Sequence, residues 1–291
     1  MNKDTPYEVI TSRVLTALEN GTVPWHKPWT TLGGTAPQNM DGRPYRGINV
    51  ILLGMTEFSD PRWTTFNKAK SLNGKVRKGE KGMPVIFWKP MQKYAKGEDG
   101  KKVYLDEMFF LLRYYTVFNV EQCDDLDIEP FNVPDLEGNK FSPILEAERI
   151  IRGMPDQPTI AHGGNSAFYV PAKDSIHMPL KETFDSPEEY YSTLFHELSH
   201  STGHKKRLNR HELETGIAPF GSATYSKEEL VAEFSATFLC HDSGITNTID
   251  NSEAYITGWA KKIKKDKKLV VVSASQGQKA SEWIQSPSDE S

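Results

Sequence analysis

The sequence predicts an α+β protein in two units, and three observations carry that expectation. Runs with the 3.6-residue apolar period of a helix, at 7–19, 144–154, 187–203 and 227–242, are interspersed with β-rich runs at 83–88 and 109–120. The charge changes sign along the chain: residues 1–118 carry 18 Lys and Arg against 11 Asp and Glu, and residues 119–260 carry 10 against 24. Between the two lies the acidic stretch EQCDDLDIEP, followed by Pro134, Gly138 and Pro143, with no regular period. The expected partition is a first unit over 1–122, a linker over 123–142 and a second unit over 143–291.

Composition narrows the class. Of 291 residues, 37% are hydrophobic and 25% charged, as in folded globular chains. No run approaches the roughly 20 apolar residues that cross a bilayer, and MNKDTPYEVI lacks the apolar core of a signal peptide. Cys123 and Cys240 are far apart and have no partners at metal-ligand spacing, so neither a disulfide framework nor a cysteine zinc site is expected. The expectation is a cytoplasmic protein with no membrane partner. A basic half suits a polyanion, and an acidic half suits a cation.

In the first unit, Val9, Ile10, Val14, Leu15 and Leu18 share one helical face, and Gly21 and Pro24 end that helix. MPVIFW at 83–88 and FFLLRYYTVFNV at 109–120 read as strands. The polar stretch between them reads as a long hairpin excursion with Gly97 and Gly100 at its tip. Basic and aromatic residues interleave: Trp25, Lys27 and Trp29; Arg43, Tyr45 and Arg46; Arg62 with Trp63 and Phe66; then Lys75, Arg77, Lys78 and Lys81. Single-stranded nucleic acid presents a line of phosphates and unstacked base faces, which Lys/Arg and flat rings respectively recognise. Each ring taken singly, Trp25, Trp29, Trp63, Phe66 and Trp88 among them, is as readily explained by a core that needs aromatic mass.

The second unit carries the more specific signal. PEEYYSTLFHELSHSTG at 187–203 is a helix by its termini: Ser186 to cap, Pro187 in the first turn, Glu188 and Glu189 at the positive end, Gly203 as a stop. Within it, His196 and His200 lie about 40° apart on one face and one turn apart in height, so both imidazoles reach one cation. Glu197 is placed on the adjacent edge as a base for a water activated by that cation. The third ligand is sought in the helix over 227–242, where Glu229 and Glu233 share a face. Glu229 is assigned as ligand and Glu233 as the carboxylate that accepts the other ring N–H of a ligand histidine; the swapped assignment satisfies the same spacing. Glu228 is expected to point elsewhere. His204 lies beyond the helix stop, His211 is a poorer third ligand, and Lys206 occupies the position where a metzincin would need histidine. Tyr225 and His211 are candidates to assist an oxyanion. Two imidazoles and a carboxylate favour Zn²⁺ on ligand chemistry, with Mn²⁺ as the other candidate. A helix at 144–154, strands near 159–162, 166–171 and 175–180, the HExxH helix and closing helices at 253–263 and 267–284 follow the order of a zincin.

Both units resemble the ArdC-type antirestriction proteins of conjugative plasmids, a family also seen as the N-terminal part of some plasmid primases. The residues that carry the resemblance are PWHKPW at 24–29, YRGIN at 45–49, WTTFNKAK at 63–70, VRKGEKGMPVIFW at 76–88 and YTVFNVEQC at 115–123. HELSHSTGHKKRL at 196–208 and SKEELVAEFSATFLC at 226–240 complete the set in family order. The resemblance implies an N-terminal domain that binds single-stranded DNA, joined to a zincin-like metallopeptidase domain that acts on an unidentified protein substrate, if on any. It implies protection of incoming plasmid DNA from host restriction, and it supports His196, His200 and Glu229 as ligands with Glu197 as base. The competing expectation is a non-enzymatic protein that coats single-stranded DNA and keeps a vestigial structural metal site.

Overall fold

A computed structural model describes residues 4–25, 35–96, 102–132, 143–210, 223–245 and 253–286. Thr5 and Glu8 form a reciprocal capping box that starts α1 (Pro6–Glu19), which buries Ile10, Val14, Ala17 and Leu18. The first unit continues through β1 (Gln38–Asn39), α2 (Ile48–Gly54), β2 (Arg62–Thr64), α3 (Phe66–Ser71), β3 (Lys75–Val76), β4 (Met83–Lys96), β5 (Lys102–Asn119) and β6 (Cys123–Asp124). The larger sheet has the order β1-β2-β5-β4. The first pair is parallel and the rest antiparallel.

Two expectations are corrected here. The polar stretch after residue 88 forms a hairpin, as expected, but its strands run well past the expected 83–88 and 109–120: β4 and β5 stay paired from Met83↔Val117 out to Lys96↔Lys102, with one bulge between Gln92 and Tyr94. The ladder is a backbone property, and polar side chains enter because the outer ribbon has solvent on its faces. The tip at 97–101 lies outside the described residues. The linker does not begin at 123, because Lys75 and Val76 pair with Asp124 and Cys123, and the Asp127 N–H donates to the Leu72 carbonyl. Of the proposed linker, residues 133–142 lie outside the described residues.

The second unit runs through α4 (Pro143–Gly153), β7 (Thr159–His162), β8 (Phe168–Val170), β9 (Ser175–Met178), α5 (Pro187–Ser201), α6 (Ala223–Ser243), α7 (Glu253–Lys265) and α8 (Leu269–Gln285). Its sheet has the order β7-β9-β8, parallel then antiparallel. One core joins Ile150 of α4 and Met154 just after it, Ile176 and Met178 of β9, Leu194, Phe195 and Leu198 of α5, and Leu239 and Cys240 of α6.

A second core crosses the boundary between units. Leu230, Phe234 and Phe238 of α6 pack with Trp259, Val270 and Val271 of α7 and α8, and with Ile10, Val14, Trp25, Ile51 and Leu52 from the first unit. Helix α6 therefore has an apolar neighbour on both sides, as a helix central to a fold must. Lysines of the 261–268 run serve this junction: Lys267 pairs with Glu8, and its carbonyl accepts from Thr11. Where α8 crosses α6, Gly277 leaves no room for a side chain. A Cβ there would lie 2.7 Å from Phe234 Cβ and 3.0 Å from both the Ser235 nitrogen and the Val231 oxygen. Gly277→Ala is expected to destabilise the protein by about 1–3 kcal/mol through overpacking, read as a lower denaturant midpoint at unchanged slope.

Candidate metal centre

Helix α5 forms where its caps predict. Ser186 accepts from the Glu189 N–H, and Pro187, Glu188 and Glu189 occupy the first turn. It ends at Ser201 with Thr202 as cap, one residue short of Gly203. Leu194, Phe195 and Leu198 pack into the core with Leu239 and Cys240 of α6, and His196 and His200, on another edge of α5, meet Glu229 nearer the start of α6.

The structure brings His196, His200 and Glu229 together, with ligand atoms all within 4.8 Å of one another. The two Nε2 atoms are 3.0 Å apart; Glu229 Oε2 is 3.7 Å from His196 Nε2, and Oε1 is 3.4 Å from His200 Nε2. Atoms about 2.0–2.1 Å from a tetrahedral zinc stand about 3.3 Å apart, so the observed edges bracket what one such ion needs. The donor set fits a divalent cation, and the three side chains keep enough exposure for a further position to face solvent. Glu197, 7% exposed, makes no hydrogen bond or ion pair among the described residues.

The second carboxylate on His200 is not the expected one. Glu228 Oε1 lies 3.7 Å from His200 Nδ1, on the ring edge away from Glu229. Glu233 faces the other way and accepts a 2.8 Å hydrogen bond from the Tyr255 hydroxyl. The assignment of Glu233 as the supporting carboxylate, and of Glu228 as pointing elsewhere, is therefore corrected. Both residues sit within about one turn of Glu229; the approach of α5 to α6 selects the one that meets His200.

Arg210 holds Glu228 in turn. Its Nε donates at 3.0 Å to Oε2, while the rest of the guanidinium bonds Thr202 Oγ1 at 2.7 Å and the Ser199 carbonyl at 3.0 Å. Three residues earlier, Arg207 is buried and donates to the Ser201 and Asp156 carbonyls and to Asp174 and Tyr169. The two arginines after the HExxH helix thus fasten its end, one to the sheet side and one to α6. Burial alone would raise the Asp174 pKa, but hydrogen bonds from Arg207 and Tyr169 hold it below its ordinary value.

Negative charge dominates the electrostatics of the site. Burial opposes protonation of His200, yet Glu228 and Glu229 outweigh it and lift that pKa to about 10. Burial would raise the Glu229 pKa, but His196 and His200 drive it far below the carboxylate range. Carboxylates that hold a proton on His200 offer the same attraction to a divalent ion.

The residues expected on nucleic acid are dispersed. Trp25 is fully buried, edge-on to Phe234 at 5.3 Å and Trp259 at 6.2 Å, with Nε1 3.3 Å from the Tyr255 hydroxyl. Its ring fills the shared core and is not open to a base, which corrects its assignment. Tyr45 is half-buried, and burial together with Tyr115 pushes its pKa well up. Arg62 is bound by Asp60, the Glu129 carbonyl and the Phe131 ring. Lys75 and Arg77 are exposed but paired with Asp125 and Glu80. Arg43, Lys78 and Lys81 are exposed with no carboxylate partner among the described residues, and Arg46 pairs with Glu282 at the surface. Lys27, Trp29 and His211 lie outside the described residues, as does the side chain of Tyr225. Among the described residues of the first unit, the exposed rings are instead Phe66, and on the hairpin Phe87, Trp88, Tyr94, Phe109, Phe110 and Tyr115. Their signal was a ribbon longer than its apolar ends.

A small mixed sheet, an HExxH helix and a crossing helix that brings a carboxylate to both imidazoles define a zincin-like domain, here joined to an N-terminal α+β domain. Residues 146–276 match the zincin-like metallopeptidase family model, and residues 4–118 match the N-terminal domain of anti-restriction factor ArdC. Crystal structures of the antirestriction ArdC protein from the R388 plasmid, metal-free and Mn(II)-bound, superpose with TM-scores of 0.72 and 0.73. Each is 32% identical and covers 97% of both chains. DNA primase TraC of Escherichia coli is 36% identical over 301 residues, covering 96% of this chain; the chain spans 27% of that primase. The uncharacterized protein y4eC of Sinorhizobium fredii is 32% identical over 295 residues, which take in 91% of its length. The chain belongs to the ArdC antirestriction family. No helix among the described residues is long and apolar enough to cross a membrane.

Proposed function

We propose that this protein protects incoming conjugative plasmid DNA from host restriction by binding it single-stranded, and that it carries a metal-dependent peptidase site at His196, His200 and Glu229. The observation that carries the peptidase reading is the triangle of two imidazoles and one carboxylate, with Glu197 on the same helix held by no donor among the described residues. The Mn(II)-bound form of the similar R388 protein supports a divalent cation; Zn²⁺ and Mn²⁺ both suit the ligands.

When bound, the ion would polarise a scissile carbonyl and acidify a water. Glu197 takes the proton from that water and returns it to the leaving amine. Glu228 orients the His200 ring from Nδ1 so that Nε2 faces the ion, and Arg210 holds Glu228 in place. The protein substrate is of unidentified sequence. We assign DNA binding to residues 1–122 and the peptidase site to 143–291, in a cytoplasmic protein, as the two free cysteines suit.

The DNA reading has a direct test. An oligonucleotide of single-stranded DNA should bind more tightly than its duplex, with an affinity that falls steeply as salt rises. Equal affinity for both forms, measured by fluorescence anisotropy, defeats it.

A further inference from the structure

Where the units meet, a cleft of about 340 Å³ opens between β4, α2 and α8. That is within the range of ligand sites, about 300–1,000 Å³. Its apolar surface comes from Ile48, Ile86, Trp88 and Val271, and its charge from Arg46 and Lys279. Among the described residues no carboxylate lines it, and Glu282 stands behind Arg46 and Gln278.

The walls are held before any ligand arrives. Asn49 clamps β4 to α2 with two 2.8 Å hydrogen bonds to the Ile86 backbone, one given and one accepted. Gln278 of α8 accepts from the Gly47 N–H at 3.2 Å. These bonds occupy the amides and leave the flat ring and the two cations for a ligand. Trp88 is 50% exposed. Lys279 is exposed and has no carboxylate partner among the described residues. Arg46 pairs with Glu282 at a surface position, where an exposed ion pair contributes little and yields readily to a stronger anion.

A flat ring beside an apolar floor, with two cations along the lining, suits a planar base attached to a phosphate. We infer that this cleft receives one nucleotide of a single-stranded polynucleotide, its base against Trp88 and its phosphates near Arg46 and Lys279. The bound strand then touches α8 of the second unit as well as the first. The ribbon extends the path: Trp88 pairs with Leu112, so Phe110, two residues along and 64% exposed, stands on the same face. This rests on the single-stranded DNA reading above and adds to it both a location and a contact from the peptidase-like half.

The test uses the full chain, a fluorescent oligothymidylate and anisotropy titrations over a range of salt. Trp88→Ala should weaken binding by about 5- to 150-fold, the loss of one base–ring stack, and Trp88→Phe should recover most of it. Lys279→Ala should flatten the dependence of log affinity on log salt by about one ion. Melting temperatures close to that of the parent show that the exposed-site variants are folded. If the parent binds and both alanine variants bind like it with an unchanged salt slope, the nucleotide site is wrong and the DNA reading stands. If the parent itself does not bind, both fall.

Discussion

Glu229→Ala is expected to abolish binding of Zn²⁺ or Mn²⁺, measured by calorimetric titration of the metal-stripped protein. The variant leaves two imidazoles, 3.0 Å apart at Nε2, without the carboxylate that completes their triangle. The loss should exceed the roughly 10–100-fold that removal of a supporting partner costs. That smaller loss is expected for Glu228→Gln, because Glu228 stands on the far side of the His200 ring and is itself fixed by Arg210. Glutamine is the better substitution there, since alanine would strand the buried Arg210 guanidinium and unfold the region for other reasons. Glu233→Gln should leave metal affinity unchanged, because that side chain bonds Tyr255 in the core shared with the first unit. Equal effects of the Glu228 and Glu233 variants would contradict the assignment of Glu228 to His200.

The difference between Glu228 and Glu233 shows where the sequence stops being informative. Capping and the HExxH spacing were legible because each depends on contacts within a turn or two of one helix, and Glu229 was singled out by its spacing from Glu233 within its own helix. Which neighbouring carboxylate meets His200 depends on how α5 crosses α6, and no local period encodes a crossing. Trp25 and Trp88 make the same point for aromatic residues. Trp25 stands in the basic and aromatic run PWHKPW yet lodges against Phe234 and Trp259, more than 200 positions later in the chain, whereas Trp88 ends the apolar run MPVIFW yet is half exposed. The charge reversal near residue 118 suggested two separate units, and the family matches over 4–118 and 146–276 lie on either side of it. Charge patterning reports surfaces, however, and the core packed by α1, α2, α6, α7 and α8 crosses that division. The apolar residues of α6 on two faces were the available sign that this helix would be enclosed.

Glu197→Gln isolates chemistry from binding. The substitution keeps shape and volume, removes the proton acceptor and touches none of the three proposed ligands, so metal affinity should match that of the parent. Any metal-dependent peptide hydrolysis should fall by about 10²–10⁴-fold, the usual contribution of a positioned base. Melting temperature should hardly move, because among the described residues Glu197 has no hydrogen bond to lose. The informative readout is protection of incoming DNA from restriction in a cell that carries this variant. If protection fails while the purified variant still binds metal and single-stranded DNA, hydrolysis at this site is the means of protection. Full protection would instead assign the role to DNA binding and make the metal triangle a structural feature. A hydrolytic rate equal to that of the parent would remove Glu197 as the base and leave His196, His200 and Glu229 to act with some other acceptor.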